Sequence, residues 1–450
     1  MNGKTKQPLK KVGIRSTRSW SQLIPLLLFF SILILIFGNY TYEDVTSIGD
    51  QNRYMTYAEN LLQGYYTDAD NPFLDNGPGY PIFLAPFVAL HLSPIIPSLL
   101  NGLLVFFSVV FFFKTLRFYL PRRAALFASY GFGLYYPIYR HMVLLQTESL
   151  ALFLICAVMY FTIKALRSPN PFPRELVWSG LACGGLALTK IFFGNVILVC
   201  LIASLFAYFF ISRQKALKCM AILLIGMICT LPWLFYTYSV TGRFPYWGTQ
   251  GGEQLYWMSV RYDGEYGNWN YFFDMESGMY PDFDPAHVQL YQSIKDKTFI
   301  EQNDTLLQIA KSNILHHPQA YLANLPANFS RLWFNLPESH QKVGYKHLYY
   351  ILANMFLLVP LAFSLIPAWT FRKDIPFEIL GIVFFILVYC GGIILIQARP
   401  RHLIVVIPII ILWLAFIFHT YVDIKLRRKK NGYSAGPRQK RIHEAAVGYS

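Results

Sequence analysis

Charge is scarce in this 450-residue chain: Asp, Glu, Lys and Arg together make up 14% of it, against about 25% in a soluble domain. With 55% hydrophobic residues and a mean hydropathy of +0.37, a soluble globular domain is excluded, and the lipid bilayer must be the main solvent. Acidic residues are scarcer still, 24 against 39 basic ones, for a net charge of +15. The basic residues flank apolar runs instead of forming one stripe with interleaved aromatics, which argues against nucleic acid as a partner. Cysteine is sparse too. All six (Cys156, Cys183, Cys200, Cys219, Cys229, Cys390) lie within or beside apolar runs, with no close metal-type pairing. Neither a disulfide framework nor a zinc site is implied. No internal repeat is visible.

What the chain does have is apolar runs long enough to cross a roughly 30 Å hydrocarbon core. About ten spans are expected, near 21–39, 95–115, 124–139, 146–165, 176–189, 191–211, 219–238, 347–370, 376–397 and 402–422. The first follows a basic head and lacks a small-residue cleavage site after Phe37, so it reads as a retained signal anchor. With the N-terminus in the cytoplasm, 26 of the 39 Lys and Arg residues fall inside, as the positive-inside rule requires. Both termini are then cytoplasmic. The expected organisation is a basic head at 1–20, a membrane part at 21–239 with a first outer loop at 40–80, an outer helical domain at 240–345, further spans at 346–422 and a basic tail at 423–450.

In the first outer loop, Tyr54, Tyr57, Ala58, Leu61 and Leu62 recur at helical spacing after Asp50, which predicts an amphipathic interfacial helix stopped by Gly64. The run DADNPFLDNGPGYP then turns back toward the bilayer. In the second outer segment, Asp284-Pro285 marks a helix start before apolar periodicity from Val288 to Leu315, and another helix begins at Pro318. Its aromatics, Tyr256, Trp257, Tyr266 and Trp269 among them, suit either sugar faces or the headgroup level. Asn39, Asn303 and Asn328 open outward-facing glycosylation sequons, informative in a eukaryotic host.

Ionisable groups at span ends are costly and tend to be kept for a purpose. Asp50, Glu148, Lys190, Arg399 and Arg401 converge at one membrane face. Two carboxylates with three cations suit a reaction in which a base activates a hydroxyl while a phosphate leaves, and such a site requires no metal or other cofactor. Each residue also has a structural alternative. Asp50 and Glu148 suit helix starts, the latter with Thr147, and the three cations suit snorkelling at the interface.

Around these residues the sequence resembles the polyprenyl-phosphate-sugar-dependent glycosyltransferases of the C superfamily, in particular the bacterial relatives of protein O-mannosyltransferases and of the lipid A aminoarabinose transferase. GDQNRYMTYAENLLQG resembles the first-loop signature, NGPGYPIFLAP the G-Y-P turn, LLQTESLALF the segment with a second acidic residue, and GGLALTKI the G-x-x-x-T-K segment. LPWLFYTYSVTGRFP, GGEQLYW and QARPRHLIVVIP follow in the family's order, the last resembling its late arginine-rich turn. The resemblance implies Asp50 as the catalytic carboxylate with Glu148 as the second, and Arg53, Lys190, Arg399 and Arg401 as phosphate-binding cations. Asp75 stands where some relatives carry a lysine.

The expectation is therefore an all-α polytopic membrane protein, placed by the resemblance in a bacterial cell membrane with its site on the outer face. Its expected activity is inverting transfer of a hexose or pentose from an undecaprenyl- or dolichyl-type phosphate to an acceptor protein or glycolipid. A transporter or lipid flippase is the main alternative, but transporters place charge near the midplane between repeated, broken helices. An oligosaccharide ligase is the other.

Overall fold

The computed structural model describes residues 50–272, 282–340 and 344–422, and among these every regular element is helical. The expected first span, the basic head and the basic tail lie outside the described residues. Chain order begins with α1 (Asp50–Leu62), α2 (Gly79–Ala89), α3 (Ile95–Leu116), α4 (Arg122–Gly133), α5 (Tyr136–Met142) and α6 (Glu148–Arg167). Next come α7 (Glu175–Thr189), α8 (Phe192–Phe210), α9 (Arg213–Thr241), α10 (Gly251–Ser259), α11 (Pro285–Ile294) and α12 (Phe299–His316). The last are α13 (Pro318–Phe334), α14 (Tyr345–Thr370), α15 (Phe377–Ile396), α16 (Pro400–Leu403) and α17 (Ile407–Tyr421). Six of them, α3, α6, α8, α9, α14 and α15, are long and apolar enough to cross a membrane, and α2, α7 and α17 are shorter apolar helices. The chain is an integral membrane protein. The expected span at 124–139 is not one helix. It is α4 and α5, broken at Tyr135, whose extended backbone precedes a helix with Pro137 in its first turn; proline has no N–H for the bond a continuous helix would make to the carbonyl four residues back, and its ring clashes with that carbonyl.

Side-chain periodicity builds α1 as expected. Gln51, Tyr54, Tyr57 and Ala58 are buried on one face, Tyr54 packs edge-on to Tyr80 of α2 with ring centroids 5.3 Å apart, and Gly64 takes a φ of +89° just past the helix. The following loop is fastened at several points. The Tyr57 hydroxyl donates to the Phe73 carbonyl at 2.8 Å, that of Tyr66 donates to the Asn76 carbonyl at 2.8 Å, and Leu74 exchanges bonds with Thr249, its N–H donating to the hydroxyl and its carbonyl accepting the Thr249 N–H. Gly77 lies so close to the end of α7 that a Cβ there would sit 2.1 Å from the Leu188 carbonyl oxygen. The Asn-Gly-Pro-Gly composition of the turn is thus a packing requirement, and it seats the loop that carries Asp75 against the end of α7.

Helices α10 to α12 and the loop between α10 and α11 form a separate apolar cluster, with Tyr256, Trp257, Trp269, Phe272, Ile294, Leu306 and Ala310 in its core, while Leu332 and Trp333 of α13 join the main core of the membrane helices. The expected single periodicity from Val288 to Leu315 is split between α11, with Asp284 capping the Ala286 N–H at 2.8 Å, and α12. Tyr256 and Trp257 are core residues, available neither to a sugar nor to headgroups. Two of the three sequon asparagines are also structural. The Asn303 side chain accepts the Gly252 N–H at 2.6 Å. The Asn328 amide donates to the Ile394 carbonyl at 2.7 Å while its oxygen accepts the Ala398 N–H at 2.9 Å. Both are buried, so neither is a free glycan acceptor. Asn328 fixes the end of α15 and the turn that follows it.

At the opposite end of α15, Glu378 bonds Arg167 at 2.9 Å and pairs with Lys215 at 3.5 Å. Between these ends, α7 and α9 cross closely through glycines. A Cβ at Gly184 would lie 2.5 Å from the Cys229 Cβ and 2.8 Å from the Gly226 carbonyl oxygen, whereas one at Gly185 would meet only Leu154, at 3.4 Å. Gly184→Ala should therefore cost about 1–3 kcal/mol through overpacking, and Gly185→Ala should be neutral or stabilising. Thermal unfolding of the two variants in detergent checks this; equal melting temperatures would contradict the crossing.

Candidate active site

Lys190 terminates α7 and hands the chain directly to α8, so its side chain leaves the helix pair at one end of the membrane helices. Its ammonium lies 3.1 Å from the carboxylate of Glu148. Glu148 opens α6 but does not act as the expected cap: Thr147, before it, makes no capping bond to the backbone. The residue meets a cation instead. Buried carboxylates need such a partner, because desolvation disfavours the charged form.

Asp50, at the start of α1, is gripped from two sides. Arg53, one turn on, forms a short ion pair with one carboxylate oxygen. Arg401, in α16, reaches the other at 2.5 Å across 351 positions of sequence. Burial alone would raise the pKa of Asp50, but the guanidinium groups of Arg401 and Arg53 outweigh it and hold the carboxyl well below the usual range. Arg401 in turn is held above its ordinary value by Asp50 and Glu148 against the effect of its burial. The snorkelling alternative does not describe Lys190 or Arg401; both point inward to carboxylates.

Arg53 has a second partner. It bonds Asp75 at 3.1 Å, and its guanidinium sits against the rings of Phe73 and Tyr271, 5.4 and 5.2 Å from their centroids. The Asp75 carboxylate also accepts from the Gln250 amide at 2.6 Å, the Thr249 hydroxyl at 3.2 Å and the Tyr271 hydroxyl at 3.3 Å. Burial pushes its pKa up to about 6 despite Arg53 and these donors. Asp75 was visible in the sequence only as a departure from the relatives' lysine. Its partners Thr249, Gln250 and Tyr271 carry no signal in their own neighbourhood, because they reach the site from about 175–196 positions away.

These groups surround a cavity of about 370 Å³, lined by Asp50, Asp75, Lys190 and Arg401 together with Tyr54, Gln250, Trp269, Gln397 and His402. Of the six residues singled out by sequence, Asp50, Lys190 and Arg401 line it. Arg53 and Glu148 stand behind them as ion-pair partners. Arg399 is not part of that lining; it donates to the Trp269 carbonyl at 2.9 Å and lies 5.0 Å from that ring's centroid, near enough to Asp50 to help keep its carboxyl ionised. A larger cavity of about 500 Å³ lies toward the other end of the bundle. Its walls are mostly apolar, including Ile155, Val158, Leu223 and Phe385, and their one charged residue is Glu378, already paired with Arg167 and Lys215. Among the described residues no cluster of three or more His, Cys, Asp or Glu suits a metal ion.

The position of Asp75 has a consequence for stability. Free Asp ionises near 3.8 and Asp75 only near 6, so the folded protein holds a proton that the unfolded chain has lost between those values. Its stabilising contribution is full below about pH 4 and falls by ~3 kcal/mol as the pH rises through 6. Asp75→Asn removes this dependence. The melting-temperature difference, wild type minus variant, should decline from pH 4 to 6.5 and then level off; a constant difference would contradict the shift.

Comparison with known proteins adds three findings. No curated protein matches the chain. A solved structure, the crystal structure of ArnT from Cupriavidus metallidurans bound to undecaprenyl phosphate, matches at 11% identity and a TM-score of 0.40, covering 85% of this chain and 78% of that one. Residues 75–236 match the family described as dolichyl-phosphate-mannose-protein mannosyltransferase. That segment runs from Asp75 through Glu148 and Lys190, and over it the chain resembles the membrane glycosyltransferases of the C superfamily.

Proposed function

We propose that the protein transfers a single sugar from a polyprenyl-phosphate carrier to an acceptor hydroxyl, in the cavity between Asp50, Lys190 and Arg401. The observation that carries this reading is the convergence of Asp50, Arg53, Glu148, Lys190 and Arg401, drawn from four separated stretches of sequence, on one cavity at one end of the membrane helices. A lipid carrier reaches such a site from the bilayer with its phosphate at the interface. The family similarity supports the carrier class and the reaction type.

In the proposed reaction the acceptor oxygen attacks the anomeric carbon, the bond from that carbon to the phosphate oxygen breaks, and the polyprenyl phosphate leaves with the electron pair. The acceptor proton passes to Asp50. One displacement at that carbon inverts its configuration. Lys190 and Arg401 compensate the charge on the departing phosphate as point charge and planar fork. Glu148 holds Lys190 in place.

Asp50 in the grip of two guanidinium groups is a weak base. A donor phosphate entering the cavity competes with Asp50 for Arg401, and the contact it takes over returns basicity to the carboxylate. Donor binding thereby prepares the base, and proton transfer is most effective from a group whose basicity suits the operating pH. The acceptor, whether protein or glycolipid, enters the same cavity; the side of the membrane concerned is the outer one, from the distribution of basic residues.

Asp50→Asn keeps the shape and removes the basicity. Transfer should fall by roughly 10²–10⁴, while undecaprenyl phosphate binds at least as tightly as to the wild type, because the anionic competitor for the guanidinium groups has gone. Transfer with the mannose-charged carrier and equilibrium binding of the bare carrier, measured on one purified preparation, check both parts. Wild-type transfer would remove Asp50 as the base.

A further inference from the structure

The turn between α15 and α16 puts two more polar side chains on the cavity wall, Gln397 and His402. Gln397 is 8% exposed, yet its amide nitrogen Nε2 is buried with no hydrogen-bond partner. An unmade bond of this kind costs about 1–3 kcal/mol and calls for an explanation. The backbone here is not slack: Asn328 clamps it on both sides of Gln397, through the Ile394 carbonyl and the Ala398 N–H. The side chain is held where it is, with its donor unused.

His402 is oriented by a different contact. Its Nδ1 accepts the backbone N–H of Arg399 at 3.2 Å. A neutral imidazole that accepts at one nitrogen carries its proton on the other, so Nε2 is a donor, and it has no partner among the described residues. Burial and the nearby cations Lys190, Arg401 and Arg399 keep the ring from taking a second proton, against the opposing effect of Asp50. The turn therefore presents two neutral N–H donors beside two cations whose charges Asp50 and Glu148 already balance.

We infer that Gln397 and His402 are binding residues for the phosphate oxygens of the lipid-carried donor, acting as uncharged donors beside Lys190 and Arg401. The inference rests on the reading of the cavity as a lipid-phosphate site. Neutral donors fit the demands of such a site. They saturate oxygen lone pairs that two cations leave over, and they do so without adding charge that would retain the polyprenyl phosphate after transfer. Gln397 accordingly trades stability of the empty protein for ligand contact.

The test uses the full-length protein in detergent micelles, with undecaprenyl phosphate as probe and undecaprenol, which lacks the phosphate, as control. Binding is read by native mass spectrometry and stability by thermal unfolding. Gln397→Leu, close in size and without the unpaired donor, should leave the melting temperature of the empty protein equal to or above wild type and weaken undecaprenyl phosphate binding about tenfold. His402→Ala should weaken binding to a similar extent. His402→Gln, which replaces the Nε2–H by an amide N–H, should recover most of it, and undecaprenol should not discriminate among the proteins. Wild-type affinity in both Gln397→Leu and His402→Ala would overturn the inference while leaving the cavity's assignment standing. Failure of the wild-type protein itself to prefer undecaprenyl phosphate over undecaprenol would overturn the assignment and the inference together. The His402 pair decides the matter independently if Gln397→Leu fails to fold.

Discussion

One carboxylate held by two guanidinium groups organises this end of the molecule. Asp50 lies at the start of the interfacial helix, Arg53 one turn further, and Arg401 just before the last apolar helix. Taking either arginine away leaves buried charge uncompensated, a loss of the order of 3–5 kcal/mol in comparable buried pairs. The first loop and the turn before the last helix are thus fastened together by ion pairs. The same contacts keep the site poised. The cations are assembled in advance, and the carboxylate that holds them is the one that a phosphate would displace.

The remaining framework supports that clamp. Loop 65–78 is pinned to α7 by close glycine contact and to Thr249 by paired backbone and hydroxyl bonds. This places Asp75 behind Arg53 with four donors converging on its carboxylate. Asn328 does the same for the turn at 397–399, from α13. Both sides of the cavity are therefore set by polar side chains from between α9 and α15, Thr249 and Gln250 on one side and Asn328 on the other, bonding to backbone or to a carboxylate.

Much of this could be read from the sequence, for identifiable reasons. The interfacial helix follows from 3.6-residue periodicity stopped by Gly64, and most long spans from uninterrupted apolar length. Asp50, Glu148, Lys190 and Arg401 stood out because charge at a span end is rare. Their pairings were not legible: nothing local links Lys190 to Glu148, 42 residues away, or Arg401 to Asp50. The span at 124–139 was misread because length and composition were weighed above Pro137, which breaks the helix at Tyr135. Arg399, two residues from Arg401, looked equivalent to it. The extended backbone at Arg399 before the short helix α16 sends the two side chains in different directions. Asp75 carries no periodic or motif signal for its role, since its environment is assembled from residues far along the chain.

The account stands on competition between Asp50 and a lipid phosphate for the same cations. A cryo-electron-microscopy structure of the protein with undecaprenyl phosphate would test it most directly. The phosphate should lie in the cavity within ion-pair distance of Lys190 and Arg401, with the Arg401 contact to Asp50 lengthened relative to its 2.5 Å here. A phosphate bound at the other end of the bundle near Glu378, or bound in the cavity with the contacts of Asp50 unchanged, would contradict it.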